Sequence, residues 1–104
     1  MPTNDEIEHA VDIAFKMVSE SSARTDRLKL LAAAAEQSVA IFEYRKSDES
    51  QYSVRVVRLE DFGTGVDRKK DGRFEYVVAY DYDRADYRTF RLSRIRNGSV
   101  KVCG

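Results

Sequence analysis

One stretch near the C-terminal end, residues 73–95, constrains the fold of this chain more than any other. It opens with apolar residues at a strict spacing of two: Phe74, Tyr76, Val78 and Tyr80. This alternation is typical of a β-strand with one aromatic face. A polar connector at residues 82–86 follows, and a second strand-like run covers residues 87–95. The stretch therefore predicts two adjacent strands joined by a short turn.

The second run of this stretch carries three arginines, Arg88, Arg91 and Arg94, among apolar residues. A guanidinium group offers a rigid fork of hydrogen-bond donors that fits phosphate and carboxylate groups, and aromatic faces can stack nucleobases. Between Arg84 and Lys101 there are six basic residues and one acidic residue. The two strands together therefore predict a surface that binds an anion or a nucleic acid.

Two motifs in the same stretch resemble the WYL domain of bacterial transcriptional regulators. Residues 76–81, Tyr-Val-Val-Ala-Tyr-Asp, are similar to the strand that carries the Trp-Tyr-Leu signature of the family. Glu75 replaces the Trp of this signature and Val77 replaces its Leu. Residues 88–95, Arg-Thr-Phe-Arg-Leu-Ser-Arg-Ile, are similar to the strand that follows in the family. The resemblance extends over about residues 27–102.

The resemblance implies a leading helix at residues 27–37 and a five-stranded Sm-like small barrel. Residues 39–45 are similar to the first strand of the family, whereas Arg58 stands where its second strand usually has proline. Regulators of this family usually carry a winged helix-turn-helix before the domain. Because residues 1–26 are too few for one, we expect a WYL-like domain at residues 27–104 that stands alone, preceded by a helical extension at residues 1–26.

The periodicity of the chain independently predicts an α+β fold with two N-terminal helices and five antiparallel strands. A capping box at Thr3 and Glu6 starts a helix at residues 4–19, and a second helix covers residues 26–37 after a polar turn. From Val39 the period changes to two. The strands are predicted at residues 39–46, 52–59, 73–81, 87–95 and 99–102. Short meandering strands after helices favour a strongly bent sheet that closes into a small barrel.

Several local details accompany this fold. The second helix is expected to present Leu28, Leu31, Ala32 and Ala35 on one side. Residues 47–50 predict a hairpin between the first two strands, and Asn97-Gly98 predicts a hairpin between the last two. Residues 63–72 are expected to form a long flexible loop. In the C-terminal half, we expect Val78 and Phe90 to be buried and Tyr76 to be half exposed.

The chain of 104 residues is long enough for one domain with a modest core. Its formal net charge is +0, but residues 1–38 carry −3 and residues 39–104 carry +3. The sequence shows no signal peptide and no apolar run long enough to span a bilayer. The single cysteine, Cys103, suits a reducing compartment and is expected to be an exposed thiol. We therefore expect a cytoplasmic protein with no membrane association.

Catalysis, metals and cofactors find little support in the sequence. The only histidine, His9, lies on the polar side of the first helix, and the chain lacks a Gly-x-Ser-x-Gly motif. The acidic residues Asp81, Asp83 and Asp86 match no calcium-loop spacing and are expected to be a solvated turn. We expect no catalytic residue, no metal ligand and no cofactor.

Two functional hypotheses remain open. In the first, the chain is a non-enzymatic regulatory module that binds an anionic ligand, in particular single-stranded DNA or RNA. By matching position, the resemblance nominates Tyr76, Arg88, Arg91 and Arg94 as groove residues, to which we add Tyr44, as a second residue that could stack bases, and Arg55. Alternatively, Arg91 and Arg94 form only ion pairs with Glu75 and Asp81 on the neighbouring strand.

In the second hypothesis, the chain is a bacterial or phage-encoded interaction module that docks on a protein partner or on a second copy. It would then modulate a regulator or a nucleic-acid enzyme. Its first helix and its barrel would form the docking surface, and the apolar stripe of that helix contains Ile7, Val11 and Phe15. The loss of Trp from the signature favours this alternative, because a lost aromatic residue can mean a lost ligand site.

Overall fold

The computed structural model describes residues 22–69 and 72–103 of the chain. Helix α1 covers residues 22–36. The strands are β1 (Val39–Tyr44), β2 (Ser53–Asp67), β3 (Gly72–Asp81), β4 (Asp86–Arg91) and β5 (Lys101–Cys103), with a 3₁₀ helix, Leu92–Arg94, between the last two. The predicted first helix, residues 4–19, lies outside the described residues. No helix in the described part is both long and apolar enough to cross a bilayer.

The five strands form one antiparallel sheet in the order β4-β3-β2-β1-β5, which confirms the α+β class. The sheet is open, because β4 and β5 lie at its two edges, so the prediction of a closed Sm-like barrel is wrong. The 3₁₀ helix ends β4 and carries the chain across to β1, where Ile95 forms an isolated bridge with Tyr44. Strand β5 then pairs with β1 through only three residues and does not reach β4.

Of the three predicted hairpins, the structure contains two. Strands β1 and β2 form a hairpin, and strands β3 and β4 form another through residues 82–85. At Asn97-Gly98 the chain does turn, and Gly98 adopts a left-handed φ of 82°. This turn leads into β5 but does not join it to β4 as a hairpin, so the predicted pairing of the last two strands is wrong.

Strand β2 is 15 residues long and includes residues 63–67, the first half of the segment expected to be a flexible loop. The rings of Tyr76 and Phe74 on β3 lie over Gly63 and Gly65, where a Cβ atom would come within 2.7 and 2.5 Å of the respective ring carbons. Glycine at these positions makes room for the rings, so the strand continues through them. A register shift between Leu59 and Asp61 leaves one extra residue in β2, as in a β-bulge.

The core lies between α1 and the inner face of the sheet. Its strand residues alternate with half-buried ones, as expected for a sheet with one face covered. They include Ala40, Phe42, Val57, Leu59, Val77, Ala79 and Phe90, each at most 1% exposed. The burial of Phe90 and the half-burial of Tyr76 are confirmed. Val78 is only half-buried, so its predicted burial is wrong and its neighbours Val77 and Ala79 fill the core instead.

Helix α1 turns a different face to the core from the predicted one. Its buried residues are Asp26, Leu30, Ala33 and Ala34, whereas Leu28 is 63% exposed. The helix also starts earlier than predicted, because residues 22–25 are helical rather than a polar turn. It ends at Gln37 in the left-handed region with a φ of 52°. There the N–H of Ser38 donates to the carbonyl of Ala33 at 2.9 Å, which closes a Schellman motif.

Candidate anion-binding site

One end of the sheet brings together four of the six residues predicted to bind a ligand. Because neighbouring strands are antiparallel, β1 and β3 end where β2 and β4 begin. At this end a pocket of about 370 Å³ opens between the β1–β2 hairpin and the 3₁₀ helix. Its lining residues are Tyr44, Lys46, Ser47, Asp48, Arg55, Arg88, Thr89, Phe90 and Arg94. We call this the basic pocket.

Arg55 forms the floor of the basic pocket and is only 7% exposed. Its Nη1 lies 3.4 Å from Oδ2 of Asp81, a carboxylate that is itself fully buried. The other carboxylate oxygen of Asp81 accepts a hydrogen bond from the N–H of Asp83 at 3.1 Å, so Asp81 is held by the β3–β4 turn. Burial of an arginine is tolerated here because the carboxylate compensates its charge.

The Nε of Arg55 is buried and has no hydrogen-bond partner. Buried donors in folded proteins are nearly always paired, so this N–H is an exception within the described residues. Arg55 also lines the basic pocket, so its positive charge acts on an anion there.

Asp81 compensates the charge of Arg55, whereas the charges of Arg88 and Arg94 are not compensated by a neighbouring carboxylate among the described residues. Both side chains are half-buried. Neither forms a hydrogen bond, ion pair or aromatic contact with another residue of ranges 22–69 and 72–103. Lys46 adds a third such cation to the wall, against a single carboxylate, that of Asp48. The pocket therefore holds an excess of positive charge that can neutralise an anion.

Tyr44 belongs to the pocket wall and to the core at once. It is 4% exposed, and its ring packs edge-on against Phe90 at a centroid distance of 5.0 Å. Its hydroxyl accepts a hydrogen bond from the backbone N–H of Arg91 at 3.3 Å. With its ring enclosed in this way, Tyr44 shapes the pocket and has no free face on which a base could stack.

Tyr76 and Arg91 lie away from the basic pocket. The guanidinium of Arg91 sits 3.8 Å from the ring centroid of Phe74, and its Nη1 pairs with Asp67 at 3.1 Å. Tyr76 packs beside Phe74 over β2. Arg94 is shared, because it also lines a smaller pocket of about 190 Å³ that contains Phe74 and Arg91. The structure therefore separates the six predicted residues into a group of four and a group of two.

The alternative prediction, that Arg91 and Arg94 form ion pairs with Glu75 and Asp81, is wrong, because both carboxylates have other partners. Glu75 accepts from Arg27 of helix α1 at 2.9 Å, and this bond raises the pKa of the Arg27 guanidinium. Asp81 pairs with Arg55 rather than with an arginine of β4. Arg91 is ion-paired as that hypothesis required, but with Asp67.

Sequence reasoning missed Lys46 and Asp81 as parts of the site. Asp81 was interpreted as a solvated turn residue, whereas it is 0% exposed. The signal was present, because Asp81 shares the parity of Val77 and Ala79 in β3 and therefore points to the core side. Lys46 comes two residues after β1 and could have been found only from the fold.

Three further predictions concern His9, metal ligands and Cys103. His9 lies outside the described residues. Among residues 22–69 and 72–103, no group of three or more His, Cys, Asp or Glu side chains is arranged to hold a metal ion. The thiol of Cys103 is exposed and free, as predicted.

Comparisons with known proteins agree with the two motifs. A family model, the WYL domain, matches residues 65–100. Among solved structures, proteasome accessory factor B/C (PafBC) of Arthrobacter aurescens is similar over 78% of this chain, with 25% sequence identity and a TM-score of 0.57. The match spans only 11% of the PafBC chain. A search of curated proteins finds no match. The resemblance to the WYL domain that the two motifs predict is therefore confirmed over residues 65–100.

Proposed function

We propose that this chain is a regulatory, non-enzymatic module that senses a phosphate-bearing ligand, a single-stranded nucleic acid or oligonucleotide, in the basic pocket. The observation that carries the proposal is the pair of half-buried arginines, Arg88 and Arg94, that line one pocket and have no partner among the described residues. The match to the WYL domain and the likeness to PafBC, an accessory factor by its name, support a regulatory role.

The composition of the pocket supports an anionic ligand over an apolar one. A typical pocket for a small molecule is mostly apolar, with a few placed polar groups. The basic pocket instead combines four basic residues with one acidic residue, within a volume of about 370 Å³. Guanidinium groups bind phosphate oxygens through two parallel hydrogen bonds, which gives geometric selectivity as well as charge.

The burial of Arg55 supports a preorganised site. Asp81 fixes its guanidinium at the floor, so binding would not require this side chain to be ordered first. A phosphate oxygen at the floor would lie beside the positive charge of this guanidinium. Arg88, Arg94 and Lys46 would then close around the remaining oxygens from the walls.

Titration of labelled short single-stranded DNA and RNA against two double variants would test this proposal. Arg88→Ala/Arg94→Ala removes the unpaired arginines of the pocket. Arg68→Ala/Lys69→Ala removes two exposed basic residues at the β2–β3 turn, at the opposite end of the sheet. It is the matched control for the loss of two positive charges. Arg91 is left intact because its pairing with Asp67 and Phe74 gives it a structural role.

We expect binding at low salt by the wild type and by the control variant, and at least tenfold weaker binding by the pocket variant. The loss of one charge-assisted contact is enough for a tenfold effect, because each contributes about 1.5–3 kcal/mol and a factor of ten is about 1.4 kcal/mol. Circular dichroism checks that both variants are folded. Equal binding by the two variants would place the ligand elsewhere, and no binding by the wild type would refute the proposal.

A further inference from the structure

We propose that two exposed tyrosines at the β4 edge, Tyr82 and Tyr87, stack the nucleobases of a single strand whose phosphate occupies the basic pocket. This inference rests on the proposed function and specifies the ligand further. Stacking on a tyrosine requires bases that are unpaired and can unstack from one another. The inference therefore favours single-stranded over double-stranded nucleic acid.

The two tyrosines belong to a cluster that is ordered by edge-on ring contacts. Tyr80 is its centre, with ring centroids 5.5 Å from Tyr82 and 5.3 Å from Tyr87, at interplanar angles of 79° and 73°. These are the preferred geometries for aromatic pairs. The rings are therefore held in place before any ligand arrives.

Arg58 of β2 braces this cluster from the neighbouring strand. Its guanidinium lies 5.6 Å from the ring centroid of Tyr80, and its Nη2 donates to the hydroxyl of Tyr87 at 3.5 Å. Glu60 holds the same guanidinium at 3.0 Å and raises the pKa of Arg58. Arg58 is thus engaged with its own neighbours, which leaves the outer tyrosines rather than this arginine to meet a ligand.

The outer two rings of the cluster remain largely open to solvent. Tyr82 is 46% exposed and Tyr87 is 54% exposed, in contrast to the enclosed Tyr44. An exposed ring that its neighbours hold in place can stack a base with little loss of side-chain freedom. This is the arrangement that proteins use to bind single strands without strong sequence preference.

The two outer tyrosines of the cluster are neighbours, in the chain, of residues that form the basic pocket or support it. Tyr87 precedes Arg88 in β4, and Tyr82 follows Asp81, the residue that holds Arg55. Because side chains alternate between the two faces of a strand, Tyr87 and Arg88 lie on opposite sides of β4. Strand β4 is an edge of the open sheet, so a ligand can pass around it from one face to the other.

The charges around the turn indicate which part of the ligand lies on which side. The turn between the two tyrosines carries two acidic residues, Asp83 and Asp86, and one basic residue, Arg84, and this excess of negative charge would disfavour phosphates there. The basic pocket on the other face would attract them. We therefore place the phosphate in the pocket and the uncharged bases on Tyr82 and Tyr87.

A comparison of two tetramer probes, tetradeoxyadenylate and an abasic phosphodiester of the same length and charge, tests this inference. The probes are titrated against the wild type, Tyr87→Ala, Tyr82→Ala/Tyr87→Ala and the control Tyr52→Ala. Tyr52 is an exposed tyrosine that contacts Arg45 and Arg96 outside the cluster. Since the chain has no tryptophan, tyrosine fluorescence can be followed, and quenching that Tyr82→Ala/Tyr87→Ala loses is assigned to these two of the six tyrosines. Tyr87→Val is the second variant if Tyr87→Ala does not fold.

We expect the wild type and Tyr52→Ala to bind the adenylate about a hundredfold more tightly than the abasic probe, about tenfold for each of the two base–aromatic stacks. Tyr87→Ala should reduce this preference to about tenfold, Tyr82→Ala/Tyr87→Ala should lose it, and both variants should keep the affinity of the wild type for the abasic probe. Equal affinity of the wild type for both probes would overturn the stacking surface and leave the phosphate pocket intact. The same conclusion follows if the folded Tyr82→Ala/Tyr87→Ala variant keeps the preference. Failure of the wild type to bind either probe would overturn the proposed function as well.

Discussion

Asp81 is the residue on which the basic pocket depends most directly, since it compensates the charge of Arg55 in the interior. We expect Asp81→Asn to destabilise the protein by about 3–5 kcal/mol, because it removes one partner of a buried ion pair and leaves the other uncompensated. Asparagine keeps the size of the side chain and an acceptor for the turn, so the loss would report charge. Equilibrium urea unfolding measures the change.

Asp83→Asn is the matched control for this residue. Asp83 is exposed, and only its backbone N–H takes part in the contact with Asp81. Its substitution should change the free energy of unfolding by less than about 0.5 kcal/mol. If the two variants were equally stable, Asp81 would not be compensating a buried charge, and the account of a preorganised floor would fail.

At the scale of single residues, the sequence predicted the membership of the pocket better than the role of each member. The arginine strand and the family motifs nominate Arg88 and Arg94, and these line one pocket with Arg55 and Tyr44, the two residues added to that set. The burial of Arg55 and Tyr44 could not be predicted in the same way. Burial depends on which face of the sheet α1 covers, and that is decided by contacts between distant parts of the chain.

Strands and turns could be predicted where residues close in the sequence determine them. Alternation located all five strands, and the polar turns at residues 47–50 and 82–86 correctly predicted two hairpins. The errors arose where distant residues decide. Glycines are usually strand breakers, yet Gly63 and Gly65 lie within β2 because rings of β3 need the space. An apolar, alanine-rich helix offers several similar faces, so the buried one was predicted wrongly.

The Asn97-Gly98 turn provides a test at the scale of elements. Gly98 has a φ of 82°, and its N–H donates to Oδ2 of Asp26 in α1 at 2.7 Å, so the turn ties the helix to the entry of β5. We expect Gly98→Ala to destabilise the fold by about 1–2 kcal/mol, the cost of a left-handed conformation for an L-residue. Thermal unfolding measures it.

Backbone strain rather than crowding should be the cause of that loss. A Cβ atom at Gly98 would meet Ser22 at 3.7 Å, an ordinary contact. Gly98→Asn is therefore expected to be milder than Gly98→Ala, because asparagine tolerates the left-handed region better. An alanine variant as stable as the wild type would show that the turn can change its conformation freely.

At the scale of the whole molecule, charge is balanced overall but concentrated locally. The formal net charge is +0, so attraction to a nucleic acid would come from the basic pocket rather than from the average charge of the surface. The open sheet contributes as well, because its unpaired β4 edge leaves a path between the pocket on one face and the tyrosines on the other.

The salt dependence of binding separates this local attraction from a general one. For single strands, the logarithm of the binding constant falls with the logarithm of salt concentration with a slope of about −0.7 per neutralised phosphate. Arg88 and Arg94 line the same pocket, which is sized for one phosphate-bearing group, so we expect them to neutralise one phosphate together. Arg88→Ala/Arg94→Ala should then reduce the slope by about 0.7, whereas a reduction of about 1.4 would mean one phosphate for each arginine. The Arg68→Ala/Lys69→Ala control should keep the slope of the wild type. Identical slopes for all three proteins would mean that neither pocket arginine meets a phosphate.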